Sequence, residues 1–434
     1  MPDKKELKPI GLFGNDGCMK KFRIVAALAC AAGLASCGLI EEAEFRNNDA
    51  ELWSFGQDLS FFSKYGVESF VLGEEDSLIV VSPLLQGRVM TSTYGGAEGP
   101  SLGWFNKELL ALKNSQFDKS QVGGEDRFWV GPQGGDFSIF FQGGSSFTEE
   151  NWTIPPSLSL EPWTVVGRSK TQARFEKEAE FENNRGGKYK VKAEREVSVL
   201  NRKHVTDILG IEIPTGVNIV AFQSFNKLTN LGEKTWTPDS GMLNISVQSC
   251  FNANRKAFVF VPYRPGEPSE LGDIVRDNYF ESTGASGNRL AVMPDYIRFK
   301  TDGKSISGIG ISPRRSEGIA LSYDGANNIL TVVTYIKPTG VRGYLPNAWR
   351  RNNAPMDGDA ISVYNNGPVS KINMVADSFY EISTHSPALS LEPGKSQFHL
   401  QRVFHFNGSE YDLGLIAYKL VGISIGQLRG ETDN

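Results

Sequence analysis

The chain has 434 residues, 40% hydrophobic and 11% aromatic against 22% charged, a composition that belongs to a folded globular protein and excludes a disordered one. A net charge of −5 provides no basic field for phosphate backbones, and no Lys/Arg cluster interleaves with aromatics. Nucleic acid is therefore not an expected partner.

In chain order, the first feature is a cationic start at Lys20, Lys21 and Arg23, followed by the apolar run from Ile24 to Gly33. That run is long enough for the apolar part of an export signal and too short to span a bilayer, which needs ~20 apolar residues. It closes on Leu34-Ala35-Ser36-Cys37, which resembles a bacterial lipobox. The resemblance implies diacylation of the Cys37 thiol and cleavage just before it. Residues 1–18 then form an upstream extension outside the fold, 19–36 the lipoprotein signal peptide, and 37–48 a linker from the lipidated cysteine. A buried apolar helix, or a plain secretory signal cut after Ala35 or Ser36, would share much of this pattern. Glu41, Glu42 and Glu44 resemble the acidic export signal of surface lipoproteins, although a solvated linker would look the same. The expected location is the cell envelope, lipid-anchored to the outer membrane on its periplasmic or cell-surface side. After cleavage Cys250 is the only unlipidated cysteine, so no internal disulfide is possible, and it is expected to be a small buried hydrophobe.

The rest of the chain carries an all-β pattern: 46 glycines, and short alternating segments between Gly/Asn/Asp/Pro turns. Strands are expected at Ser77–Ser82, Phe137–Gln142, Ile219–Lys227, Leu243–Gln248, Tyr296–Thr301 and Ser305–Ile311. The clearest hairpin runs from Ala173 to Phe181, turns at Asn183-Asn184-Arg185-Gly186-Gly187, and returns from Tyr189 to Val199 with period 2 on both arms. A second pairs Gly318–Tyr323 with Ile329–Ile336. Short helices are expected at Asp49–Lys64 and Ser269–Asn278. No repeat, linker or charge block interrupts the body, which predicts one antiparallel domain over 49–423 and a C-terminal tail over 424–434.

Three segments resemble the galactose mutarotase-like (aldose 1-epimerase-like) superfamily, and in particular its lipoprotein members. They are Gly123-Gly124-Glu125-Asp126-Arg127-Phe128-Trp129-Val130-Gly131-Pro132, Asn226-Lys227-Leu228-Thr229-Asn230-Leu231-Gly232 with Trp236, and Tyr380-Glu381-Ile382-Ser383-Thr384-His385-Ser386-Pro387 with Leu391-Glu392-Pro393-Gly394-Lys395 and Phe404-His405-Phe406. The resemblance implies a β-supersandwich with a few short helices. It also implies Glu381 as the carboxylate that takes the anomeric hydroxyl proton while a histidine protonates the ring oxygen. Family epimerases place that histidine directly after the Thr-Asn dipeptide, where this chain has Leu231. Ordinary aldose 1-epimerisation is thus not expected unless His204, His385 or another residue supplies the proton.

Glu125, Asp126, Arg127 and Trp129 form a loop able to hold a sugar by bidentate hydrogen bonds and an indole, with Trp104, Trp152 and Tyr94 in nearby Gly-rich loops. A tight turn with a local Asp-Arg pair is the plain alternative. His385 and His405 are the further candidates for lining the pocket. His399, Gln401, Val403 and His405 share one strand face, but a six-residue spacing puts the two histidines about 20 Å apart, too far for one ion. No metal and no cofactor are expected. Arg314 and Arg315, with Asp295 and Arg298, would suit an acidic sugar in a cleft or mean nothing on a solvated edge. Tyr364-Asn365-Asn366-Gly367-Pro368 has the composition of a turn.

The expected function is therefore a membrane-anchored lipoprotein with a carbohydrate-binding cleft, acting on sugars or oligosaccharides as an isomerase, hydrolase or lyase. A non-catalytic glycan-binding module, or a structural lipoprotein with a vestigial cleft, is the alternative.

Overall fold

A computed structural model describes residues 52–112, 122–159, 161–279, 289–340, 343–350, 356–367 and 378–431. The signal segment, Cys37 and the linker lie outside them, as do Asp49 to Glu51 of the expected first helix.

Among the described residues eighteen strands form three antiparallel sheets. The three-stranded sheet joins β1 (Phe70–Glu74), β2 (Ser77–Ser82) and β3 (Arg88–Thr93) in that order. The five-stranded sheet contains β4 (Arg127–Gly131), β9 (Asn244–Asn252), β13 (Ser307–Ile311), β16 (Ile361–Asn365) and β17 (Phe379–His385), in the order β13-β16-β17-β9-β4. The remaining ten are β5 (Thr164–Arg168), β6 (Gln172–Glu182), β7 (Lys188–Val199), β8 (Asn218–Asn230), β10 (Ala257–Pro262), β11 (Leu290–Val292), β12 (Tyr296–Lys300), β14 (Ile319–Asp324), β15 (Ile329–Tyr335) and β18 (Ser396–Asn407). Their order in the large sheet is β11-β12-β10-β14-β15-β18-β8-β7-β6-β5.

The expected hairpin is β6–β7, paired without a break from Gln172 opposite Ser198 to Glu182 opposite Lys188. Strict alternation puts Ala173, Phe175, Val191 and Val197 in the core and leaves most of the intervening Glu and Lys partly or fully exposed. Alternation also sorts the five-stranded sheet. Tyr380 and Thr384 of β17 bond to Ser322, His399 and Gln401 of the large sheet, so Tyr380, Ile382 and Thr384 form the inner face. Glu381, Ser383 and His385 form the outer one. As expected, His399, Gln401 and His405 share one face of β18, while Phe404 and Phe406 on the other pack against Leu413, Ile416 and Ala417 of a helix.

Five helices matter to the packing: α1 (Phe55–Tyr65), α2 (Lys107–Ala111), α3 (Arg202–Leu209), α4 (Glu410–Val421) and α5 (Ile425–Leu428). Ser54 and Gln57 close a capping box on α1, whose Phe55, Phe61 and Phe62 pack with Val80 and Met90 of the small sheet. The Ser409 hydroxyl caps α4 at Asp412 N–H and left-handed Gly422 ends it. None of these helices is long and apolar enough to cross a membrane.

Four expectations change. Phe137–Gln142 is not a strand: its amides turn onto Gly135 O and Ser138 Oγ, and its aromatic side chains enter the core as loop knobs. The expected helix at Ser269–Asn278 shrinks to one turn, Pro268–Leu271, stopped by Gly272. Residues 424–431 are packed rather than a tail, because α5 buries Leu428. Finally, Tyr364 belongs to β16 rather than to a turn.

Candidate functional site

The outer face of the five-stranded sheet carries rows of side chains set by register. Tyr364, Glu381 and Cys250 lie opposite one another across β16, β17 and β9. Ser362, Ser383, Gln248 and Arg127 form the next row, and His385, Ser246 and Trp129 the third. Neighbouring strands are ~4.8 Å apart and successive rows ~7 Å, so the three rows make one continuous floor.

Glu381 is the centre of that floor. It accepts hydrogen bonds from Ser383 Oγ, from Gln248 Nε2 at 3.4 Å and from the Cys250 thiol at 3.8 Å. The Arg127 guanidinium lies 3.7 Å over the Trp129 ring. Burial lowers the Arg127 pKa to about 10, against the pull of Cys250 and Glu381, so the group stays cationic at neutral pH. Burial and the Glu381 charge push the Tyr364 phenol upward, which keeps it protonated.

Among the polar atoms at this face that are buried and have no hydrogen-bond partner among the described residues are Trp129 Nε1, Trp104 Nε1 and Gln248 Oε1. Buried groups of this kind are normally satisfied, so each calls for a partner. Both indoles have occupied faces. Trp129 lies between Arg127 and Phe140, and Trp104 stacks on Phe379 at 4.0 Å with Gly123 pressed on its ring. What they offer a ligand is an N–H edge, not the stacking surface expected for Trp129. Gly123 and Gly124 let the chain enter here, at φ of +79° and +107°. A Cβ on Gly124 would stand 2.4 Å from Arg88 Cδ, and one on Gly123 2.5 Å from the Trp104 ring.

Glu125 and Asp126, expected at the ligand beside Arg127, instead point between the sheets. The positive-φ glycines turn the backbone so that Asp126 pairs with Val89 of β3 before the alternation of β4 begins. Asp126 binds Arg195, Ser224 Oγ at 3.1 Å and Gln401 Nε2 at 2.9 Å. Glu125 accepts from Ser92 at 2.6 Å and meets His405 Nε2 at 2.6 Å, while His405 Nδ1 meets Thr331. His405 is thus an interior residue as well.

His385 does lie on the outer face, two rows from Glu381 and about 13 Å away along the strand. Its Nδ1 meets Ser246 Oγ at 2.7 Å and its Nε2 meets Ser362 Oγ at 3.0 Å. Desolvation lowers its pKa to about 4, leaving a neutral ring held by two hydroxyls. His204 sits exposed on α3. None of the four histidines is placed to protonate a sugar held by Glu381. Arg315 donates to the carbonyls of Arg264, Gly266 and Gly272 and is a loop clamp. No His/Cys/Asp/Glu cluster able to hold a metal occurs among the described residues.

Gln248, Cys250, Ser383 and Tyr364 were missed as neighbours of Glu381. The signal was in β9, where Asn244, Ser246, Gln248, Cys250 and Asn252 put a polar or thiol group at every second position of an almost wholly buried strand.

A family model described as a family of unknown function, DUF6786, matches residues 53–431. The chain belongs to this family. No curated protein matches the DUF6786 chain in sequence. Among solved structures it is similar to a candidate aldose 1-epimerase of Escherichia coli K12, at 10% identity and a TM-score of 0.45, over 78% of this chain and 98% of that one. A galactose mutarotase-like protein of Lactobacillus casei gives 8%, 0.42, 78% and 100%, and a galactose mutarotase related enzyme of Lactobacillus acidophilus 10%, 0.42, 79% and 97%. These are likenesses of a mostly antiparallel β fold and assign no activity to the DUF6786 chain.

Proposed function

We propose that the outer face of the five-stranded sheet binds a carbohydrate, with Glu381 as its central acceptor. The observation that carries this reading is the convergence of Glu381, Arg127 and Trp129 with the unpaired donors and acceptor of Trp104, Trp129 and Gln248 on one face. A polyhydroxylated ring suits such a face, because its hydroxyls donate to the carboxylate and the Gln248 carbonyl and accept from guanidinium and indole N–H groups. Thermal-shift and NMR titration with a panel of mono- and oligosaccharides tests this. At least one sugar should bind, and Glu381→Gln should weaken it about 10- to 100-fold, the worth of one hydrogen bond to a charged group. Failure of every sugar to bind, or undiminished binding by the variant, would sink the reading.

We also propose that the domain works at a membrane surface, tethered through lipid on Cys37. The support is the cationic start, apolar run, small residues and cysteine of 20–37. Cys37→Ala should move the protein from the membrane to the soluble fraction of a bacterial host. A variant that still pellets with membranes overturns the anchor.

A further inference from the structure

We infer that the chain pairs with a second copy of itself, antiparallel, through the outer face of α4. The inference is independent of what the Glu381 face binds. On its inner side α4 buries Leu413, Ile416 and Ala417 against Phe404 and Phe406 of the large sheet. A surface helix packed in this way is ordinarily polar on its other side. Here the other side carries Tyr411, 76% exposed, and Tyr418, 63% exposed, with half-buried Leu415 between them. These two tyrosines are the most exposed large hydrophobic side chains among the described residues. At roughly 100° per residue, positions i, i+4 and i+7 fall within about 60° of one another, so the three make one stripe. Ile208 of α3 and Val292 of β11, on elements that border the same core cluster, are exposed too.

The stripe is complementary to itself. In an antiparallel pair with its two-fold axis at Leu415, Leu415 meets Leu415, and Tyr411 of one copy meets Tyr418 of the other to within one residue's rise, ~1.5 Å. The charges agree with the same axis. Asp412 and Lys419 lie on one flank of the stripe, and a two-fold axis sets like flanks together, so Lys419 faces Asp412 of the second copy at the same ~1.5 Å offset. Neither makes an ion pair with a described residue, and Asp412 accepts only from Ser409 at the start of its own helix. The opposite flank carries Glu410, already held by Arg429 at 3.2 Å. A parallel pair would set Lys419 beside Lys419, and a lipid surface would account for the tyrosines but not for this inversion of charge. A single 12-residue helix offers less than the ~800 Å² per partner of a standard interface, so the dimer is a weak one. α4 lies on one side of the large sheet and the Glu381 floor beyond the five-stranded sheet on the other, so both floors of the pair stay outside the interface.

Sedimentation velocity over a concentration series tests the pairing, on the whole chain carrying Cys37→Ala so that no acyl chain drives association. A reversible monomer-dimer equilibrium is expected. Tyr418→Glu should weaken it about 10- to 100-fold, the loss of a central aromatic anchor with a charge left in its place. Tyr411→Glu reads the same stripe from its other end and should act alike. Lys419→Glu should weaken the dimer about 3- to 10-fold, and adding Asp412→Lys should restore most of that loss, because the swap returns opposite charges to the same two positions. Tyr411, Tyr418 and Lys419 are exposed, so the urea midpoints of their variants should match that of the parent. A monomer at every concentration, or a dimer that both tyrosine variants leave intact, overturns the inference. A double swap no tighter than Lys419→Glu alone overturns the antiparallel arrangement. The inference also falls if the parent stays monomeric and Tyr418→Glu reduces its pelleting with phosphatidylglycerol vesicles, which would give the face to a lipid surface. Sugar binding is measured separately, and none of these outcomes alters it.

Discussion

Asp126→Ala is expected to lower the unfolding free energy by about 3–5 kcal/mol, the range for removing one partner of a buried ion pair. The Arg195 side chain is wholly buried and would keep only Asn226 Oδ1 at 2.6 Å and the carbonyls of Gly87 and Asp126. Ser224 and Gln401 would each lose an acceptor at the same time. Asp126→Ala with Arg195→Ala should cost less than the two singles added, because no lone charge remains. Urea unfolding of the three variants measures this, and a single-variant loss below about 1 kcal/mol would show that the pair does not hold the sheets together.

The second large effect concerns acid. Burial lowers the pKa of His385 to about 4 and that of His399 to about 3, each ring resting on hydroxyl partners. In the unfolded chain a histidine takes its proton near pH 6.5. Between that value and the folded one, the unfolded state alone binds the proton. Stability contributed by the neutral rings is therefore fully present above about pH 6.5 and is lost as the pH falls, by about 2 kcal/mol per histidine at pH 5. Asp359 acts in the opposite sense. Burial raises it to about 6, so its folded form keeps a proton that the unfolded chain gives up, and its contribution is lost as the pH rises. Comparing wild type with His385→Gln/His399→Gln separates the two. Between pH 7.5 and 5 the wild type should lose about 4 kcal/mol more than the variant. Equal pH slopes for the two proteins would contradict the burial argument.

Regular alternation made the strands legible. The β6–β7 hairpin, both faces of β18 and the β14–β15 pair follow from period 2 and turn residues alone. Phe137–Gln142 misled because its apolar density imitates a strand, and nothing local tells that Gly135 and Ser138 turn it. For the site, motif likeness grouped Glu381, Arg127, Trp129 and His385, which the fold sets on one sheet face, with Glu125, Asp126 and His405, which it does not. Parity along the chain supports that error, since 125, 127 and 129 would share a face in an unbroken strand. The left-handed Gly123 and Gly124 break it. The alternation of β9 sets Cys250 and Gln248 on one face, but their meeting with Glu381 was not legible, because it depends on the cross-strand partner β17 and register over such separations has no local signature.

Glu381 meets Cys250 across 131 residues of chain, and Gln401 meets Asp126 across 275. Closing loops of that length comes late and slowly in folding. Until β17 has docked beside β9, no shorter product of synthesis, export or proteolysis can present the carboxylate, thiol and guanidinium together. An incomplete chain would then lack the assembled face altogether, however much of its sheet had already paired.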